Sequence, residues 1–133
     1  MILVDTSVWI DVLSDRQGDV VKSFRKKTHG EILVLSRFSQ LELLQGAKSD
    51  KDWKQLDEYL SSQFYLEATE RTWSDAARMF FELRRKGITV RSSIDCCIAQ
   101  VALEHDALLL HKDADFDRIA SIRPLRFEWF SAG

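Results

Sequence analysis

The sequence predicts an α/β fold around a mostly parallel β-sheet, and three observations carry that expectation. Short apolar runs recur along the chain at Ile2-Leu3-Val4, Glu31 to Leu35 and Ala107 to Leu110. Segments with helical spacing of apolar residues lie between them. Capping residues stand at the junctions: Asp5-Thr6-Ser7, Ser36 and Ser92-Ser93 at helix starts, Gly46 and Gly87 at helix ends. A chain of 133 residues with one proline, five glycines and no low-complexity tract or repeat fits a single domain over 1–133.

In chain order, Ile2 to Val4 is the first strand, and a helix carrying Val8, Ile10, Val12 and Leu13 follows it to a break at Ser14-Asp15. A second helix spans Val20 to Lys27. Glu31 to Leu35 is a buried strand, and Ser36 caps a helix running to Gln45. Asp50 to Ser61 is amphipathic, with Trp53, Leu56 and Leu60 at helical spacing. Phe64-Tyr65-Leu66 is a candidate third strand. Thr69 to Arg85 is the longest helical pattern, with Trp73, Ala76, Ala77, Phe80 and Leu83 on one face. Helix Ser93 to His105, strand Ala107 to Leu110, short helix Asp115 to Ala120 and strand Leu125 to Trp129 complete the chain. Core packing is the default expectation for most of Trp9, Trp53, Trp73 and Phe81.

Composition excludes several classes. The two cysteines are the neighbours Cys96 and Cys97, so neither a disulfide framework nor a zinc site is expected, and a reducing, cytoplasmic setting fits. Asp5 and Asp11 interrupt the apolar start, which therefore reads as neither signal peptide nor membrane span. A net charge of −2 gives no overall pull toward nucleic acid, but there are local basic clusters. They are Arg25-Lys26-Lys27, Arg84-Arg85-Lys86 with Arg91, and Arg118, Arg123 and Arg126. As solvated helix ends they need no partner; they permit RNA binding without requiring it.

In sheets of this kind ligands bind beyond the carboxyl ends of the strands, where strand order reverses. Asp5 follows the first strand and Asp113 the fourth. Glu42 shares part of the apolar face of its helix, near a C-terminus whose dipole it opposes. Asp95 lies in line with Ile98, Ala99 and Ala102, a row expected to face the sheet. Asp115 is a further acid two residues past Asp113. Each also has a local explanation: Asp5 and Asp113 as N-caps, Asp95 as a capping-box acid, Glu42 as a wet helix edge. Gathered together, however, carboxylates ~5 Å apart would repel by roughly 3 kcal/mol per pair at an effective dielectric of 20. A helix dipole returns only ~0.3–1 kcal/mol to each. A hard divalent ion resolves that conflict, and magnesium or manganese suits an all-oxygen site.

At these residues the sequence resembles the PIN-domain nucleases and, more narrowly, the VapC toxins of type II toxin–antitoxin systems. The resemblance rests on ILVDTSVWID (2–11), SQLELLQG (39–46), SSIDCCIAQVAL (92–103) and LLLHKDADFDRIA (108–120), in family order over nearly the whole chain. It implies a Rossmann-like α/β/α sandwich and metal-dependent endoribonuclease activity with Mg2+ or Mn2+. The family's acids fall on Asp5, Glu42, Asp95 and Asp113, with Asp115 matching a less uniform fifth. It also implies a small antitoxin partner and a homodimer. Where the family often has Thr or Ser this chain has His111, read as a strand-end histidine exposed to solvent, with a general base as the alternative. Lys112 and Arg91 are the expected phosphate contacts. Two other classes stay open: a phosphoaspartate-type phosphoryl-transfer protein, although Asp5-Thr6-Ser7 lacks a DxD pair, and a non-catalytic interaction or RNA-binding domain whose acids are caps.

Overall fold

The computed structural model describes residues 1–132. Its sheet is all parallel, in the order β2-β1-β3-β4, with β1 Ile2–Val4, β2 Leu33–Val34, β3 Leu108–His111 and β4 Phe127–Trp129. Parallel neighbours require crossovers, and helices supply every one. Helices α1 Thr6–Leu13 and α2 Asp19–Thr28 connect β1 to β2. Helices α3 Arg37–Gln45, α4 Asp50–Ser61, α5 Thr72–Arg85 and α6 Ser93–Glu104 lead to β3, and α7 Ala114–Ala120 leads to β4.

The strand residues divide two-sidedly, as the period of a strand demands. Leu3 and Leu109 enter one core with Met79 and Leu83 of α5, Ile98 and Ala102 of α6, and Phe116 of α7. Ile2, Val4 and Leu110 enter the other with Val8 and Trp9 of α1, Phe24 of α2 and Leu60 of α4. The result is the expected three-layer α/β/α sandwich. Chain order reverses at β1: β2 lies on one side and β3 on the other. The crevice beyond the carboxyl ends of β1 and β3 is therefore the position that the fold offers to a ligand.

Several expectations need correction. Phe64-Tyr65-Leu66 is not a strand of the sheet; it makes one parallel bridge, Leu35 to Tyr65. The Leu35 N–H donates to Phe64 O and the Leu66 N–H to Leu35 O, and Phe64 itself points into solvent. The longest helix starts at Thr72, because the Thr72 hydroxyl accepts the Thr69 N–H at 2.8 Å and holds residues 69–71 as a turn. Of the four large aromatics assigned by default to the core, only Trp9 is buried, with its ring centroid 5.6 Å from that of Phe24. Trp53, Trp73 and Phe81 are exposed. No helix among the described residues is long and apolar enough to cross a membrane.

Candidate active site

Strands β1 and β3 end side by side, and each passes the chain to a helix through an aspartate. Asp5 caps α1: its Oδ2 accepts the Ser7 N–H at 3.0 Å. The Asp5 N–H donates to Leu110 O at 2.9 Å, and the Ser7 hydroxyl accepts the Lys112 N–H at 3.0 Å. The two strand ends are thus laced together. Burial pushes the Asp5 carboxyl up against the Ser7 hydrogen bonds that lower it, and the Asp113 charge adds to the rise. Asp113 caps α7, accepting the Asp115 N–H at 2.9 Å.

The third aspartate comes from α6. Ser92 caps that helix through a hydrogen bond from the Ile94 N–H at 3.1 Å, which leaves the Asp95 carboxylate for the crevice. Asp95, Asp113 and Asp115 each bring an oxygen to within 4.8 Å of the other two. Burial, followed by the charges of Asp113, Asp5 and Asp115, pushes the Asp95 carboxyl up to about 8. Asp115 is fully buried, and burial alone would raise it too. The Arg91 backbone N–H and guanidinium nitrogen, each 3.2 Å from Asp115 Oδ2, outweigh that and hold it below the usual carboxylate range. Arg118 donates to the other Asp115 oxygen at 2.7 Å. Arg91 Nη2 also spans both oxygens of Asp113, at 2.9 and 2.8 Å.

Glu42 stands at the border of this group. Thr6 Oγ1 lies 2.8 Å from Glu42 Oε1 and 2.8 Å from Ser39 Oγ. One hydroxyl thus ties the glutamate of α3 to the residue beside Asp5.

The family model of the PIN domain matches residues 2–122. The chain belongs to the PIN-domain family. Over 129 residues this PIN domain is 33% identical to ribonuclease VapC11 of Mycobacterium tuberculosis, covering 95% of this chain and 96% of that one. Ribonuclease VapC51 of the same species is 29% identical over 127 residues, covering 96% and 90%. Among solved structures, VapBC2 of Rickettsia felis bound to a promoter DNA fragment superposes with a TM-score of 0.79 at 20% identity, covering 98% of this chain and 100% of that one. DNA-bound VapBC of Salmonella typhimurium gives 0.76 at 22% identity, covering 96% of each. At those identities the likeness is one of fold.

The PIN domain brings Asp95, Asp113 and Asp115 into one tight group, with Asp5 close enough for its charge to act on Asp95 and Asp113. Glu42 meets the group through Thr6, outside the tight trio. The local alternatives weighed for Asp5 and Asp113 are present, since both cap helices; for Asp95 the capping box does not form, because Ser92 caps α6 through its hydroxyl while the Asp95 carboxylate joins the trio. Three expectations about neighbours change. His111 is not exposed: it is fully buried against Phe116, Phe127 and Trp129, and burial pushes its imidazole below its usual value. Its Nδ1 accepts the Asp113 N–H at 3.2 Å, and its Nε2 makes no hydrogen bond, with Asp117 Oδ1 3.9 Å away. Arg91 and Lys112 are engaged by carboxylates, Lys112 with Asp11 at 2.6 Å. Thr6, Ser7, Ser39 and Arg118 escaped the sequence reading as site residues. The DTS tripeptide was the one available signal for the first two.

Proposed function

We propose that this chain is a metal-dependent endoribonuclease that hydrolyses RNA phosphodiester bonds and acts as the toxin of a type II toxin–antitoxin pair. The reading rests on the convergence of Asp95, Asp113 and Asp115 within 4.8 Å beside Asp5, at the switch point of a PIN fold. Relatives named as ribonucleases along nearly the whole chain support the reaction class. VapBC complexes with the same fold support a small antitoxin as partner. A homodimer is part of the same proposal.

The donor set fits a hard cation: the groups are all carboxylates, and without a cation one of them, Asp95, keeps its proton at neutral pH. Asp5, Asp95, Asp113 and Asp115 would hold the ion. Bound Mg2+ or Mn2+ would supply Lewis acidity and neutralise charge developing on the phosphate. Ser7 fixes the Asp5 carboxylate, and Thr6 fixes Glu42 so that its free oxygen can orient a water. Arg91, whose side chain stays 74% exposed while it pairs, is placed to pass a guanidinium hydrogen bond to a phosphate oxygen. No covalent nucleophile is called for: burial pushes the Cys96 thiol up to about 12, so it remains protonated.

A second reading has its own observation. Two of the acids are helix caps and two are paired with arginines, as in a non-catalytic interaction domain. Asp95→Asn separates the two, since Asp95 neither caps nor pairs with a cation. Loss of Mg2+-dependent RNA cleavage by at least a hundredfold, with an unchanged circular dichroism spectrum, is expected. Full activity in that variant would remove the acid trio from the mechanism.

A further inference from the structure

The chain leaves β3 at His111 and aims the Asp113 carboxylate within two residues, past the end of the sheet ladder. The last ladder bond is to the His111 carbonyl, which accepts the Phe130 N–H at 2.7 Å. Beyond it, side chains hold both amides. Ser7 Oγ accepts the Lys112 N–H at 3.0 Å, and His111 Nδ1 accepts the Asp113 N–H at 3.2 Å. The imidazole thus does what Asn, Asp, Ser or Thr do in a turn, receiving the N–H two residues on. Unlike those short side chains, it is clamped. The ring is fully buried, stacked on Phe127 with centroids 5.8 Å apart, and meets Phe116 and Trp129 edge-on at 5.2 and 5.5 Å. Leucine or phenylalanine would fill that space without burying a nitrogen that makes no hydrogen bond, so core packing does not account for a histidine.

We propose that His111 is a positioning residue for Asp113: as the Nε2–H tautomer, it uses its bare Nδ1 to fix the Asp113 backbone and with it the direction of the carboxylate. The proposal deepens the metal-dependent nuclease reading and rests on it for what that carboxylate is aimed at. Both ring nitrogens point to one tautomer. Nδ1 faces an N–H, so it acts as an acceptor. Nε2 faces Asp117 Oδ1 at 3.9 Å, too far for a hydrogen bond, but a carboxylate there favours a donor over a lone pair. Asp113 is then held at two points. The imidazole takes its N–H, and its Oδ1 accepts the Asp115 N–H at 2.9 Å in the first turn of α7. Removing a group that orients a metal-binding carboxylate in this way lowers metal affinity by roughly 10- to 100-fold.

Asparagine and leucine have nearly the same shape, and only asparagine offers an acceptor. His111→Asn and His111→Leu therefore open similar space beside Phe116, Phe127 and Trp129 but differ in the bond to Asp113. Isothermal titration with Mn2+ should give an affinity roughly 10- to 100-fold weaker in His111→Leu than in His111→Asn. Hydrogen exchange at the Asp113 amide should be slow in the wild type and His111→Asn, and fast in His111→Leu. Equal Mn2+ affinity in the two variants would reduce His111 to a core side chain and overturn the proposal. The wild type supplies a check that needs no variant to fold well. Long-range proton–nitrogen NMR of its histidine rings should place the His111 proton on Nε2, and a proton on Nδ1 would overturn the proposal. A wild type that binds no Mn2+ sinks the metal reading alone, because the ring proton and the Asp113 amide still decide whether His111 holds the loop.

Discussion

Asp95 and His111 sit on either side of Asp113, and burial moves them in opposite senses. Asp95 titrates at about 8 in the folded chain against 3.8 for a free aspartate, so between about 4 and 8 the folded state holds a proton that the unfolded state has lost. Its contribution to stability is complete below about 4 and falls as pH rises through that window. His111 is depressed below 6.5, so its contribution is intact above 6.5 and falls as pH drops toward the folded value. A cation requires the Asp95 proton to leave. Magnesium affinity should therefore rise up to about tenfold per pH unit below 8, with close to one proton released at pH 7. Calorimetry in two buffers of different ionisation enthalpy measures that proton. Asp95→Asn should abolish both the release and the pH slope; a wild type with no pH dependence would deny that Asp95 is a ligand. At this scale the sequence revealed the acids but not their environment. The inward look of Asp95 was legible in its row with Ile98 and Ala102. The burial of His111 was not, because Phe127 and Trp129 reach it only through the pairing of β3 with β4.

Helices and strands were legible where a local signal coincided with tertiary packing. Asp5, Ser36 and Ser92 all cap helices through their side chains, and apolar spacing located the cores of α1 to α6. The signal failed where only the partner decides. Phe64 to Leu66 has a strand's composition, but the one residue it can pair with is Leu35, where the edge strand has already ended. Trp73 continues the apolar stripe of α5, yet it lies at the first turn, beyond the neighbours that cover Ala76 and Leu83. Caps also separate the two roles of the acids. Asparagine caps a helix about as well as aspartate, whereas alanine costs ~0.5–2 kcal/mol. Asp113→Asn keeps the cap and loses the solvent-exposed Arg91 pair, so it should stay within about 1 kcal/mol of the wild type in urea denaturation and lose RNA cleavage. Asp113→Ala should lose both. Equal activity in the wild type and Asp113→Asn would reduce this residue to a cap.

Across the molecule, the trio is assembled from segments that are remote in sequence: α6 supplies Asp95, and the start of α7 supplies the other two. Arg91, in the loop before α6, bridges to Asp113 and Asp115, and Arg118 closes on Asp115 from within α7. These guanidiniums offset in the ion-free protein the repulsion that the sequence alone assigned entirely to a metal. That revises the expectation without removing the cation, because Asp95 still keeps its proton beside them. It also means that magnesium and Arg91 compete for the same carboxylates, so metal binding to the wild type is opposed by the loss of Arg91 pairs. In Arg91→Gln that opposition is gone. A ligand present at about a hundred times its Kd stabilises by ~2.7 kcal/mol, and for a chain this size each kcal/mol moves Tm by roughly 3–5 °C. Arg91→Gln should therefore melt below the wild type in EDTA and show the larger rise, up to about 8–13 °C, when saturating Mg2+ is added. Differential scanning calorimetry of both proteins, with and without Mg2+, makes the comparison. An equal magnesium shift in the two would mean that Arg91 and the cation occupy separate oxygens, and the trio would have to bind metal with its arginine still in place.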